Sequence, residues 1–263
     1  MTTSQDYKLQ VTDYRLLKKV ARSFYLTIYW LPSELREPVA LAYLLARASD
    51  TIADKKDFLW NESEQKLVKQ LPLFIKKFND PCRPRFERKA IKCVLEKILE
   101  GQNLDLRHQR DQKIFSADEL EEYLYLVAGC VGEFLTQLIH EVDPNFSRIS
   151  LETMNAWAIN YGKGLQLVNI LRDFSRDQEQ GKFYFTEKEK NYYHTQANLY
   201  LQQGEAYVKA LRPGRFKMAC ALPLLLGVET LTLLKNPPNA ERLKIRRWRV
   251  YATVLKSLRF LIS

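Results

Sequence analysis

Asp173 and Asp177 stand four residues apart in residues 160–184, which read NYGKGLQLVNILRDFSRDQEQGKFY. On a helix, at about 100° per residue, Gly162, Gln166, Asn169, Asp173 and Asp177 fall inside an arc of roughly 80°. Most of the remaining circumference is apolar: Leu165, Leu167, Val168, Ile170, Leu171 and Phe174. A helix that is apolar nearly all round is buried, so its polar stripe faces an internal cavity. Residues 38–54, PVALAYLLARASDTIAD, repeat the arrangement with Tyr43, Arg47, Asp50 and Asp54 on one face and Val39, Leu41, Leu44, Leu45 and Ile52 on the others.

Burying two unpaired carboxylates costs several kcal/mol each and raises their pKa values, so paired acids on buried helices need a counter-charge. One source is ordinary ion pairing, Asp50 with Arg47 and Asp173 with Arg172 or Arg176. The other is chemical. Mg²⁺ is usually held by one or two carboxylates together with substrate phosphates, and Asp pairs at i, i+4 on facing helices suit a bridged Mg²⁺–diphosphate cluster. The four acids Asp50, Asp54, Asp173 and Asp177 are the candidate metal ligands.

Four blocks in order carry a family resemblance: RSFY at residues 22–25, YLLARASDTIAD from Tyr43, YLYLVAGCVGE from Tyr123, and GLQLVNILRDFSRDQEQGKFY from Gly164. Together they resemble the squalene/phytoene synthase family across residues 22 to about 185. The resemblance implies the all-α isoprenoid-synthase bundle around a central apolar cavity, and head-to-head condensation of two prenyl diphosphates. It implies catalytic roles for Tyr43, Asp50, Asp54, Tyr123, Asp173 and Asp177, and diphosphate contacts from Arg22, Ser23, Arg47, Gln166, Asn169 and Arg172. Phe24, Val127, Gly129 and Leu165 would line the isoprenoid pocket. The blocks look closest to squalene synthases, which use farnesyl diphosphate, Mg²⁺ and, for the reductive second step, NADPH. Phytoene or dehydrosqualene synthesis without reductant is the alternative branch, and a non-catalytic scaffold is the other. Three positions depart from the family pattern: Leu124, where relatives often carry Cys; Arg176, where they usually carry an acid; and Lys182, which replaces Arg and offers no bidentate fork.

The elements that would position these groups are all helical. Residues 6–30 read as a first helix with Leu16, Leu17, Val20, Phe24 and Ile28 on its core stripe, and Pro32 and Pro38 bracket the turn before the Tyr43 helix. Residues 57–112 alternate charges and read as a solvated helical hairpin around a loop at 80–84, with no chemistry attached. SADE at 116–119 is a capping box opening the helix that carries Tyr123. Gly129 and Gly132 in that helix ask for a close approach by another backbone or a substrate, because each costs about 1 kcal/mol against Ala. A tyrosine-rich helix after residue 190 precedes a loop at 212–215.

With 263 residues, 46% of them hydrophobic, and no Gly/Ser/Pro-rich linker or internal repeat, residues 1–263 read as one domain. The net charge of +10 suits an anionic substrate or an anionic membrane surface. No nucleic-acid-binding pattern accompanies it, so nucleic acid is not an expected partner. The polar start MTTSQDYKLQ lacks the apolar core of a secretory leader, and the run 219–234 is interrupted by Pro223, Gly227 and Glu229, so a cytoplasmic protein is expected. The basic amphipathic C-terminus, KIRRWRVYATVLKSLRFLIS, either lies on an anionic membrane or packs on the core, and the resemblance adds that Arg246 or Arg247 would close over a diphosphate. Cys82, Cys93, Cys130 and Cys220 have neither zinc-site spacing nor disulfide density and read as reduced packing residues.

Overall fold

The computed structural model describes residues 7–21, 24–54 and 60–235, with the side chain of Asp54 excepted. Among these residues there is no strand, only an isolated bridge between Ser147 and Leu211. The helices run α1 (Val11–Ala21), α2 (Phe24–Trp30), α3 (Ser33–Asp54), α4 (Glu62–Asn79), α5 (Arg85–Asp111), α6 (Ala117–Leu124), α7 (Cys130–Val142), α8 (Leu151–Glu179), α9 (Lys190–Ala210) and α10 (Arg215–Lys235).

The 29-residue α8 is the axis of the bundle, packing on α7, α9 and α10. Its all-round apolar content needs neighbours on most of its circumference, and Leu167, Val168, Ile170, Leu171 and Phe174 are all buried. Small residues set the spacing of these contacts. A Cβ at Gly132 would lie 2.1 Å from the Ala158 carbonyl oxygen, and one at Gly162 would lie 2.3 Å from that of Ala128. Both glycines therefore let the α6–α7 backbone touch α8.

Between α6 and α7 the backbone adopts a π-helical turn over Tyr125–Gly129. The capping box before it is present: the Ser116 hydroxyl accepts from the Glu119 amide, and the Glu119 carboxylate accepts from the Ser116 amide at 2.8 Å.

Several expectations are corrected. The first helix begins at Val11, not at residue 6, and residues 22 and 23 between α1 and α2 lie outside the described residues. Pro38 does not precede the Tyr43 helix but lies inside α3, where it removes its own helical N–H bond. The 57–112 hairpin is not merely solvated. Arg83 in its loop is fully buried, donating to Glu37 at 2.7 Å, to Glu87 at 2.9 Å and to the Tyr7 carbonyl at 2.9 Å. Of the four free thiols, Cys130 and Cys220 are buried packing groups but Cys82 and Cys93 are exposed. Finally, α10 runs unbroken through Pro223 and is long and apolar enough to cross a membrane by length and composition. Its core face nevertheless buries Phe216, Met218, Ala219, Leu222, Leu224 and Leu231 within the bundle. The basic C-terminal stretch with Arg246 and Arg247 lies outside the described residues.

Candidate active site

The bundle encloses a cavity of about 650 Å³ bounded by α2, α3, α5, the α6–α7 segment, α8, α9 and α10. One face of α3 contributes Tyr43, Ala46, Arg47, Asp50 and Ala53, one helical turn after another. Facing it, α8 contributes Gly162, Leu165, Gln166, Asn169, Arg172, Asp173, Arg176 and Asp177. The two stretches singled out by spacing thus line one cavity. Its remaining wall includes Phe24, Tyr123, Val127 and Gly132.

Ion pairs hold the acids in place. Arg47 bonds Asp50 one turn on along α3 and reaches Glu64 at 3.6 Å. Asp173 receives Arg172 at 2.7 Å and Arg176 at 3.1 Å, and Arg176 also stands 3.6 Å from Asp177. These arginines do not neutralise the α8 pair fully. Burial, reinforced by the charge of Asp173, pushes the Asp177 carboxyl up to about 6 from its ordinary 3.8. A carboxylate poised there is short of positive charge.

The arrangement fits Mg²⁺ carried by a diphosphate. Among the described residues no group of three or more His, Cys, Asp or Glu side chains converges on a point that could hold a metal. Asp173 and Asp177 offer an oxygen-only pair, leaving the other positions to phosphate oxygens and water, as Mg²⁺ prefers. The side chain of Asp54 lies outside the described residues, as do Arg22 and Ser23.

Tyr43 stacks on Phe24 at 5.3 Å, and its hydroxyl donates to the Val20 carbonyl at 3.5 Å. Tyr123 lies in an aromatic cluster, 5.4 Å from the Tyr184 ring and 5.3 Å from Phe115, with its hydroxyl 3.3 Å from that of Tyr184. Burial, then the neighbouring Tyr123 and Asp105, hold the Tyr184 phenol far above the ordinary range, so it stays protonated. Gly129 is placed apart from the cavity: it packs against Ile159 of α8, where a Cβ would meet the Ile159 side chain at 3.2 Å. Gly132 and Gly162 are the glycines on the wall.

Sequence reading passed over α5. Gln102 and Asp105 both line the cavity, and Asp105 pairs with Lys182 at 3.1 Å, bringing the loop after α8 back to the site. The available signal was the i, i+3 spacing of these two polar residues on a face otherwise carrying Ile98, a pattern that the many surface charges of 85–111 conceal.

A family model described as squalene/phytoene synthase matches residues 17–189. The chain belongs to the squalene/phytoene synthase family. Members of that family are prenyltransferases. Among curated relatives, the squalene synthase of Cyberlindnera jadinii is 23% identical over 93% of this chain and 66% of its own length, and squalene synthase 1 of Arabidopsis thaliana is 25% identical over 89% and 68%. The chain therefore spans about two thirds of these relatives. In structure it is similar to TcSQS in complex with the ligand BPH1237, with a TM-score of 0.78 at 21% identity, covering 95% of this chain and 88% of that one. The family's isoprenoid-synthase fold is thereby the fold of this chain.

Proposed function

We propose that this protein catalyses the Mg²⁺-dependent head-to-head condensation of two farnesyl diphosphates to presqualene diphosphate and its onward conversion to squalene with NADPH. The observation that carries the reading is a cavity with a charged end and an apolar end. Asp50, Asp173, Asp177, Arg47, Arg172, Arg176 and Lys182 gather on its walls, and Leu31, Leu135, Tyr161, Cys220 and Pro223 line it elsewhere. A molecule with a diphosphate head and a long hydrocarbon tail matches that division. Residues 1–263 act as one domain, an assignment supported by the continuous hydrophobic core from Leu9 to Leu231.

The residues divide the work. Arg47, Arg172 and Lys182 draw the diphosphate to the charged end, and Gln166 and Asn169 orient its oxygens. Bound Mg²⁺ supplies the positive charge that stabilises the departing diphosphate. As the allylic C–O bond breaks, the double bond of the second substrate attacks the C1 cation, and loss of a proton closes the cyclopropane. Tyr43 and Tyr123 both line the cavity. A neutral phenol, with a pKa near 10, is a weak base, so they position the reacting carbons while the released diphosphate takes the proton. The apolar walls keep water from the cation.

The test is incubation of the purified protein with farnesyl diphosphate and Mg²⁺, with and without NADPH, followed by mass analysis of the hydrocarbon extract. Squalene formed only with NADPH supports the reading. An unreduced C30 polyene despite NADPH moves the chain to the dehydrosqualene branch. Absence of product from C15 and C20 substrates alike overturns the enzymatic reading.

A further inference from the structure

The division of work above leaves one cation of the charged end without a task. Arg47 bonds Asp50, Arg172 bonds Asp173 and Lys182 pairs with Asp105. Arg176 is placed differently. A single nitrogen of its guanidinium, Nη2, stands 3.1 Å from Asp173 Oδ2 and 3.6 Å from Asp177 Oδ1. It thus lies between the two carboxylates, at a point from which one cation serves both. The backbone puts it there: Arg176 follows Asp173 by three residues, one turn along the same face, and adjoins Asp177. Position 176 is also one where the chain departs from its family's pattern, so this bridging cation belongs to the chain itself.

Two carboxylates one helical turn apart repel each other, and Arg176 is a counter-charge supplied from within. A divalent ion drawn to the same pair must compete with a guanidinium tethered beside it. Charge balance adds to the competition. Among the described side chains lining the cavity, carboxylates and cations are equal in number, four of each, so a bare metal ion meets acids that are already matched. What can end the competition is the unequal exposure of the partners. The Asp173 and Asp177 side chains are 23% and 14% exposed, whereas that of Arg176 is 54% exposed. The acids are fixed on short stems, while Arg176 sits on a long stem with open solvent beside it. A diphosphate arriving at this end offers its guanidinium a bidentate partner, which the two separate carboxylate contacts do not. Moving to the phosphate oxygens frees both acids just when phosphate can complete the oxygen ligands that Mg²⁺ prefers.

Resting on the diphosphate reading above, we propose that Arg176 is a tethered counter-ion that holds Asp173 and Asp177 against bare divalent metal and releases them when a diphosphate arrives, transferring its guanidinium from carboxylate to phosphate oxygens. Arg176 is therefore a binding residue that makes metal uptake conditional on the substrate head group, and no covalent bond changes in the transfer.

The experiment titrates Mn²⁺, in place of Mg²⁺, into the full chain alone and in the presence of inorganic pyrophosphate. Free Mn²⁺ is read by electron paramagnetic resonance, with a protein-free titration correcting for chelation by pyrophosphate. The quantity that decides is the ratio of the two Mn²⁺ affinities. A charge that stays in place alters each affinity but leaves their ratio unchanged, whereas a charge that moves from the metal ligands to the diphosphate enlarges it. The wild-type ratio should exceed that of Arg176→Gln by at least about fivefold, the upper end of what one exposed ion pair contributes. Without pyrophosphate, Arg176→Gln should bind Mn²⁺ more tightly than the wild type. Arg176→Lys keeps a tethered cation and should recover most of the wild-type ratio, which separates charge from packing. A folded Arg176→Gln protein with the wild-type ratio, or an Arg176→Lys protein that behaves as Arg176→Gln does, overturns the proposal. Failure of the folded wild type to bind Mn²⁺ even with pyrophosphate overturns the diphosphate reading itself, and the counter-ion role with it.

Discussion

An Asp177→Asn variant should be more stable than the wild type at pH 8 and devoid of turnover. The gap between an ordinary carboxyl at 3.8 and Asp177 at about 6 corresponds, at 1.36 kcal/mol per pH unit, to about 3 kcal/mol. Screening by water in the open part of the cavity brings the expected gain to about 1–2 kcal/mol. The sign follows from proton counting. Between about pH 4 and pH 6 the native state binds more protons at this site than the unfolded chain does. Wild-type stability therefore falls as pH rises through that window, and the amide variant escapes the fall. Urea unfolding in EDTA at pH 4 and pH 8 measures both quantities: the variant should lead at pH 8, and its lead should shrink several-fold at pH 4. Adding Mg²⁺ with inorganic pyrophosphate should raise the unfolding midpoint of the wild type and leave that of the variant unmoved. A variant no more stable than the wild type at pH 8, or a lead that ignores pH, would refute the reasoning.

Gly132→Ala forces a Cβ into the Ala158 carbonyl, 2.1 Å away in the native packing, and should cost about 1–3 kcal/mol by separating α7 from α8. For a chain of this size that lowers Tm by about 3–10 °C, and an unchanged melting curve would show that the two helices are not locked there. Lys182→Ala removes the ammonium 3.1 Å from the nearly buried Asp105 carboxylate and should cost about 3 kcal/mol, with much of the loss recovered in the Lys182→Ala, Asp105→Asn double variant. Full additivity of the two single changes would mean that the pair does not interact.

The acidic helices were legible in the sequence because their chemistry and their burial are written at the same period. The steps from Gly162 to Asp177 and from Tyr43 to Asp50 place polar groups on one side, while the leucines that bury the helices occupy the rest. The Ser116 capping box was legible for a similar reason, since cap and partner are three residues apart. What the sequence withheld depends on partners distant along the chain. Arg83 looks like one more surface charge until Glu37, 46 residues earlier, folds against it. Asp105 looks solvated until Lys182 arrives, and Pro38 and Pro223 look like breaks because local propensity cannot see the packing that keeps α3 and α10 continuous. Gly129 was placed on the pocket wall by its neighbourhood in the sequence, whereas the rotation of the backbone at that point decides which glycine faces inward.

That rotation belongs to the π-helical turn at Tyr125–Gly129, which accommodates one residue more than an α-helical path would. On an uninterrupted α-helix, Gly132 would sit about 180° from Tyr123 and Leu135 about 120° away, so the wall would turn its back on the substrate halfway along. Taking out one residue's rotation, about 100°, after the π turn gathers Tyr123, Val127, Val131, Gly132 and Leu135 within roughly a quarter of the circumference, and all five line the cavity. The wall is thus two helical phases spliced into one surface. A side chain in the splice can alter the active site without touching it, by changing which way every later residue of α7 points.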